Sequence, residues 1–182
     1  MRNVVLGLGI SLDGYIARPD GSYDFLFIPS DYGKKSMGKF MASIDAALMG
    51  RKTYDVGVKA GGAAQFAKMD SYVFSRTLAS GKRDGVTFTQ DSPAEVVRQI
   101  RRRRGKKIWL MGGGELALDF LKADLVDELY IGIVPVLIGD GIPLFLKGFP
   151  QRSFKLVENK TFSRGLVSLK YQRDRSKKKS KR

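Results

Sequence analysis

One stretch, KIWLMGGGELALDFLK from Lys107 to Lys122, constrains the fold more than any other. Its first five residues are apolar or β-branched enough for a buried strand. Three glycines follow, and then Leu116, Leu118, Phe120 and Leu121 recur at helical spacing. A strand that feeds straight into a helix needs a crossover connection, and crossovers build parallel sheets. The rest of the chain repeats this alternation. Strands are expected over residues 3–11, 46–49, 71–74, 86–89 and 128–137, and helices over 32–43, 51–58 and 115–122. Ser92-Pro93-Ala94-Glu95 opens a further helix with Ser at the N-cap, Pro in the first turn and Glu where a capping box wants it. That helix carries Val96, Val97 and Ile100 inward and ends near Gly105. Residues 57–62, with three glycines, read as a loose loop, and 139–143 as a turn. After residue 143 only strands remain, 154–162 and 166–172, joined by Ser163-Arg164-Gly165. The expected architecture is α/β: a mainly parallel sheet, helices on both faces, and an antiparallel hairpin at the C-terminal edge.

Composition removes whole classes of chemistry. The 182 residues include no Cys and no His. That excludes disulfides, thiolate metal sites, a Cys nucleophile, a Ser-His-Asp triad and imidazole acid–base work, and no metal is expected. What remains is carboxylates, hydroxyls, Lys and Arg, backbone amides or a borrowed cofactor. At this length the chain needs no metal or disulfide to fold. With no internal repeat and no linker, residues 1–172 read as one domain, followed by a basic tail, 173–182, with the composition of a disordered segment.

The formal net charge is +15, and it is uneven. One run extends from Arg98 through Arg101, Arg102, Arg103 and Arg104 to Lys106 and Lys107, and a second is the tail RDRSKKKSKR. Each reads as a polyanion-binding feature or as a solvated surface. No aromatic residues interleave the runs, so nucleic acid is not expected as a partner. The apolar run at 129–139 is too short to span a membrane, and the N-terminus reads as a strand rather than a signal peptide. A cytoplasmic protein is expected. The apolar segment 128–146 offers more surface than one helix layer covers, which points to a homodimer.

Three strand ends carry the candidate chemistry. Gly112, Gly113 and Gly114 let a backbone approach a ligand closely, and the helix that starts there presents free N–H groups to an anion. A lone tight turn would ask for one glycine, not three. Gly50, Arg51, Lys52 and Thr53 end a second strand with two cations at the start of a helix, where the helix dipole disfavours them unless an anion is present. Ser75 and Arg76 end a third. In α/β sheets ligands collect at the carboxyl ends of strands, and these three ends together suit a nucleotide with more than one phosphate. Neither a dinucleotide fingerprint nor a Walker A sequence occurs.

These segments, in order, resemble the dihydrofolate reductase superfamily, and within it the branch that includes the reductase domain of the bacterial riboflavin-biosynthesis deaminase/reductase. The residues that carry the resemblance are Ser11-Leu12-Asp13-Gly14-Tyr15-Ile16-Ala17, Met49 to Tyr54, Val73 to Ser75, the glycine triplet with its helix, and Glu128 to Phe145. The resemblance implies a three-layer fold and hydride transfer from NADPH to a pteridine- or pyrimidine-like heterocycle. It places Ile16 and Ala17 along the nicotinamide and Gly50, Arg51, Lys52 and Thr53 at the phosphates. Ser75 and Arg76 would flank the 2′-phosphate, and Gly112, Gly113, Gly114, Glu115 and Leu116 would cradle the pyrophosphate. It also implies an acid beside the substrate, for which Asp31 is the candidate and Asp13 and Asp24 the alternatives. As plain sequence, Asp31 also reads as a helix cap and Asp13 as a turn cap. Two other readings stay open: dihydrofolate reductase proper, and a nucleotide- or polyanion-binding module without catalysis.

Overall fold

The computed structural model describes residues 1–176. Eleven strands and six short helices form around one large sheet. In chain order the strands are β1 Val4–Ile10, β2 Tyr15–Ala17, β3 Ile44–Gly50, β4 Asp70–Phe74, β5 Gly81–Arg83, β6 Val86–Thr89, β7 Lys107–Gly112, β8 Glu128–Ile133, β9 Ile142–Pro143, β10 Phe154–Thr161 and β11 Val167–Arg173. The helices are α1 Ser30–Tyr32, α2 Gly38–Ala42, α3 Arg51–Lys59, α4 Ala63–Lys68, α5 Pro93–Arg101 and α6 Gly114–Lys122; a π turn, Gly33–Met37, joins α1 to α2. The main sheet runs β10-β11-β8-β1-β7-β3-β4-β6-β5. Its six central strands are parallel, and each edge is an antiparallel pair. β2 and β9 form a separate two-stranded ribbon.

The strands alternate their side chains between two faces. Val4 and Leu6 of β1, Ala46 and Leu48 of β3, and Ile108 and Leu110 of β7 pack under α5 and α6. Val5 and Ile44 face the other way, against Phe40, Tyr32 and Tyr130. Ala47 and Met49 meet Phe66 and Val73 beside α3 and α4. The central strands are buried on both sides, which explains their near-continuous apolar sequences. The three-layer α/β architecture with its antiparallel C-terminal hairpin is what the sequence implies.

Several boundaries differ from that reading, each for a local reason. The strand expected over 128–137 stops at Ile133, because Pro135 has no N–H to give and the Val136 N–H turns back to the Val134 carbonyl at 2.8 Å. The loop expected over 57–62 is instead the end of α3 and the entry to α4. Its glycines serve packing: a Cβ on Gly57 would lie 2.6 Å from the Phe66 ring, and one on Gly62 2.9 Å from the Gly57 carbonyl. The apolar segment 128–146 is mostly consumed by the protein's own core. Tyr130, Ile131, Val134 and Leu144 are buried, and only Leu137, Ile142 and Phe145 are well exposed. The domain also reaches past residue 172. β11 extends to Arg173, and Arg173 and Arg175 pair with Asp124 and Asp127. The basic tail expected over 173–182 is therefore docked at its start, and its remainder, 177–182, lies outside the described residues. No helix among the described residues is long and apolar enough to cross a membrane.

Candidate active site

β7, β3 and β4 are neighbours in the sheet, so Gly112, Gly50 and Phe74 end side by side; Met49 pairs with Gly112 and Gly50 with Phe74. A nine-residue helix leaves from each of the first two ends: α6 with Gly113 as its N-cap and α3 with Gly50 as its N-cap. Neither cap residue has a side chain, so the first-turn N–H groups stay available to an anion. α5 is the internal contrast. Ser92 and Glu95 close a full capping box there: the Ser92 hydroxyl accepts the first-turn Glu95 N–H and the Glu95 carboxylate accepts the Ser92 N–H.

The three glycines of the triplet do three different things. Gly112 has φ +93°, the left-handed region that favours glycine, and a Cβ there would meet only Leu8, at 4.0 Å. The Gly112–Gly113 peptide is cis. Gly113 has an ordinary φ of −73°, and its missing Cβ would project 3.6 Å from the Thr53 hydroxyl and 3.8 Å from Ile16 Cδ1. Gly114 admits the backbone of β9: a Cβ would lie 2.7 Å from the Pro143 carbonyl. The third glycine is thus a packing requirement, and the first two shape the floor of the cleft. Gly50 completes that floor, its Cβ position 3.8 Å from both the Gly112 carbonyl and the Gly113 nitrogen.

The structure brings Ile16, Gly50, Thr53, Gly112 and Gly113 together at this point, and Ala17 continues β2 beside them, paired with Ile142. Arg76, at the end of β4, reaches Glu115 in the first turn of α6 at 3.1 Å, so the Ser75–Arg76 segment closes one side of the cleft; both charged groups are exposed. Ser75 is buried, and its hydroxyl oxygen accepts the N–H groups of Thr77 and Leu78, holding the turn that aims Arg76. Arg51 is engaged by Asp55 one turn along α3, at 2.8 Å. Lys52 is exposed in the first turn of α3. Leu116 belongs to the core, so any ligand contact there is through its backbone.

The three candidate acids, Asp13, Asp24 and Asp31, are all occupied. Asp13 accepts from the Ser11 hydroxyl at 2.6 Å and from the Ile138 and Gly139 N–H groups, which pins the loop before β2 to the turn before β9. The Ser11 hydroxyl, then the Gly139 amide, holds its carboxyl below the usual range. Asp24 forms a two-pronged pair with Arg18, which lowers its pKa in the same way. Asp31 is tied to the β10–β11 turn: it accepts the Ser163 N–H at 3.0 Å, the Ser163 hydroxyl at 2.7 Å and the Tyr32 N–H at 3.0 Å. The Ser163 amide and hydroxyl depress its pKa. The Asp31 carboxylate thus joins α1 to the hairpin. Sequence reading also missed the β2–β9 ribbon. The signal was present in the Gly139-Asp140-Gly141 punctuation, because Gly141 and Gly114 are where chain segments approach too closely for a side chain.

Residues 2–168 match the RibD C-terminal domain family, and the chain belongs to it. Among its relatives are two uncharacterised proteins of Bacillus subtilis (strain 168). YwjB is 33% identical over 172 residues, spanning 94% of this chain and 98% of its own. YyaP is 33% identical over 187 residues, spanning 93% of this chain and 94% of its own. A crystal structure of a putative riboflavin biosynthesis protein from Shewanella sp. PV-4 superposes with a TM-score of 0.81 at 28% identity, covering 96% of this chain and 100% of that one. The Thermotoga maritima diaminohydroxyphosphoribosylaminopyrimidine deaminase/5-amino-6-(5-phosphoribosylamino)uracil reductase shares the fold, with a TM-score of 0.72 at 16% identity; 95% of this chain covers 57% of it.

Proposed function

We propose that this protein is an NADPH-dependent reductase of a pteridine- or pyrimidine-like heterocycle, similar in reaction to 5-amino-6-(5-phosphoribosylamino)uracil reductase. The observation that carries this reading is the meeting of two uncapped helix N-termini, α3 and α6, over a floor of Gly50, Gly112 and Gly113, with Ile16 above and Arg76 at the side. Membership of the RibD C-terminal domain family supports the reductase class. The glycine floor and the two sets of free amides fit a pyrophosphate. Arg76 is positioned to exchange Glu115 for a 2′-phosphate, with Lys52 and Arg51 adding positive field from α3. Ile16 and Ala17 provide an apolar wall for a nicotinamide ring. When bound, the dihydronicotinamide supplies the hydride.

The protein's own part is to bind, orient and exclude water. Hydride addition to a C=N or C=O carbon leaves a heteroatom that must take a proton. Asp13, Asp24 and Asp31 all have depressed pKa values and are ionised at neutral pH, so none of them holds a proton to give. The donor in this reading is therefore another group, a Tyr, a Lys or ordered water, rather than one of these three carboxylates. Asp31 acts as a positioning residue that fixes α1 against Ser163. A fluorescence titration with NADPH, followed by a turnover screen of pteridines and aminopyrimidines, tests the proposal. Saturable binding and oxidation of NADPH by one heterocycle class is expected; no binding at millimolar NADPH overturns it.

A further inference from the structure

β7 is the middle strand of the nine, and a parallel strand in that place is expected to be covered on both faces. It is fully covered on one. Ile108, Leu110 and Gly112 are buried, whereas Trp109 and Met111, on the other face, are partly exposed. Their neighbours in the same layer are buried: Val5 and Gly7 on β1, Ala47 and Met49 on β3. The opening is therefore narrow and follows β7.

Trp109 packs with the cluster of Phe40 and Tyr130 under α2, and Met111 with the cluster of Met49 and Phe66 beside α3 and α4. The open face of β7 lies between the two. At Met111 the strand carries an extra residue, because Leu110 pairs with Leu48 and Gly112 already with Met49. Bulges of this kind re-aim side chains next to active sites, and this one immediately precedes the glycine floor.

Trp109 is the chain's one tryptophan, and it is held in place. Its Nε1–H donates to the Gly7 carbonyl at 2.7 Å, and Phe40 packs edge-to-face against it with ring centroids 5.5 Å apart. Gly7 makes this possible: a Cβ there would lie 3.1 Å from Trp109 Nε1 and 2.9 Å from Phe40 Cζ. With its one polar atom used, what the indole leaves exposed is aromatic carbon.

We propose that the substrate ring stacks on Trp109 with Met111 beside it, and that Trp109 makes the site prefer a fused two-ring heterocycle to a single ring. This assignment rests on the reductase reading of the cleft. Trp109 and Met111 stand two residues apart on one face, about 7 Å along the strand. Two fused six-membered rings span both side chains, and one ring covers only one of them. The Met111 thioether adds a sulfur–aromatic contact. A ring laid there adjoins Gly112 and so the cofactor floor.

The test uses the full chain labelled with nitrogen-15, in which one tryptophan gives one indole N–H resonance. Pterin and lumazine are the two-ring probes and 6-aminouracil is the one-ring probe. Both two-ring probes should shift the indole resonance saturably and bind at least about tenfold tighter than 6-aminouracil. Trp109→Leu should lower pterin affinity by at least about tenfold with NADPH affinity unchanged, and Trp109→Phe should keep it within about threefold. The resonance of the unmodified protein reads the contact even if Trp109→Leu folds poorly. Equal affinity for one-ring and two-ring probes overturns the proposal, and so does two-ring binding that leaves the indole resonance unmoved. An NADPH titration of the same sample separates the two readings. NADPH binding without a response to pterin or lumazine overturns the ring platform alone. A saturable indole shift with pterin and no NADPH binding supports the platform and overturns the reductase.

Discussion

The two ends of the central sheet are made of different materials. At the carboxyl ends of β3 and β7 the chain presents backbone: Gly50, Gly112 and Gly113, and two helices whose first turns no side chain caps. At the amino ends of the same sheet it presents side chains in fixed pairs: Arg2 with Asp45, Arg103 with Asp70, Lys107 with Glu128, and Arg101 and Arg175 with Asp127. The first end leaves helix N–H groups without a side-chain cap. The second pairs its buried charges. A site needs the first condition and a scaffold needs the second, so substitutions at the two ends should separate cleanly in what they damage.

The largest expected effect is at Gly113. Its backbone conformation suits any residue, so Gly113→Val tests space alone: the branched side chain fills the gap between Thr53 and Ile16. NADPH affinity should fall at least a thousandfold, about 4 kcal/mol, with little change in melting temperature. Gly114→Ala should do the reverse. A Cβ pressed on the Pro143 carbonyl costs about 1 to 3 kcal/mol of stability. Titration and thermal melts on both variants check the pair, and equal loss of binding in the two would mean that the triplet acts as a single turn.

At the other end the largest effect belongs to Asp127. Replacing it by Ala strands the Val4 amide and the partly buried Arg101. The cost should be about 3 kcal/mol by urea denaturation, with NADPH affinity unchanged. A variant that loses cofactor binding while keeping its stability would break the contrast between the two ends.

How much of this division was legible along the chain follows from which forces are local. The capping box at Ser92 and Glu95, the alternation of strands and helices and the glycine triplet are set by neighbours within a few residues, and they appear where the pattern puts them. The ion pairs at the amino ends join residues tens of positions apart, 43 for Arg2 with Asp45 and 48 for Arg175 with Asp127, and Arg2 also donates to the Lys106 and Ile100 carbonyls, 104 and 98 positions away. No local spacing announces them, so Arg101 and Arg103 read as a solvated run. The tie at Asp31 is hidden for the same reason. Its partner Ser163 is 132 residues away, and only the closing of the hairpin on α1 makes the carboxylate a tie.

Arg76 gives a smaller, sharper test of the cleft. NADPH should bind at least tenfold tighter than NADH, about 1.4 kcal/mol, and Arg76→Gln should erase most of that preference by weakening NADPH alone. Its exposed pair with Glu115 contributes little to stability, so the melting temperature should not move. Equal affinity for the two cofactors in the unmodified protein would remove the 2′-phosphate from the reading.

The smallest effect expected is at Asp31, and its sign can be worked out. Its ordinary pKa is 3.8, and the Ser163 amide and hydroxyl lower it in the folded protein. A depressed carboxyl pKa contributes stability that is present above the unfolded value and is lost as pH falls through the folded one. Asp31→Asn should therefore melt slightly below the unmodified protein at pH 7, and the gap should close on titration below pH 3.8. A tie between α1 and the hairpin makes no other demand, so kcat/KM should change by less than about threefold. A carboxylate that gripped the substrate ring would behave differently: kcat/KM would drop by about a hundredfold with NADPH affinity intact, because the interaction lost would be one made in the transition state. The two outcomes differ enough that one kinetic measurement, with the heterocycle identified by the screen, decides which job Asp31 does.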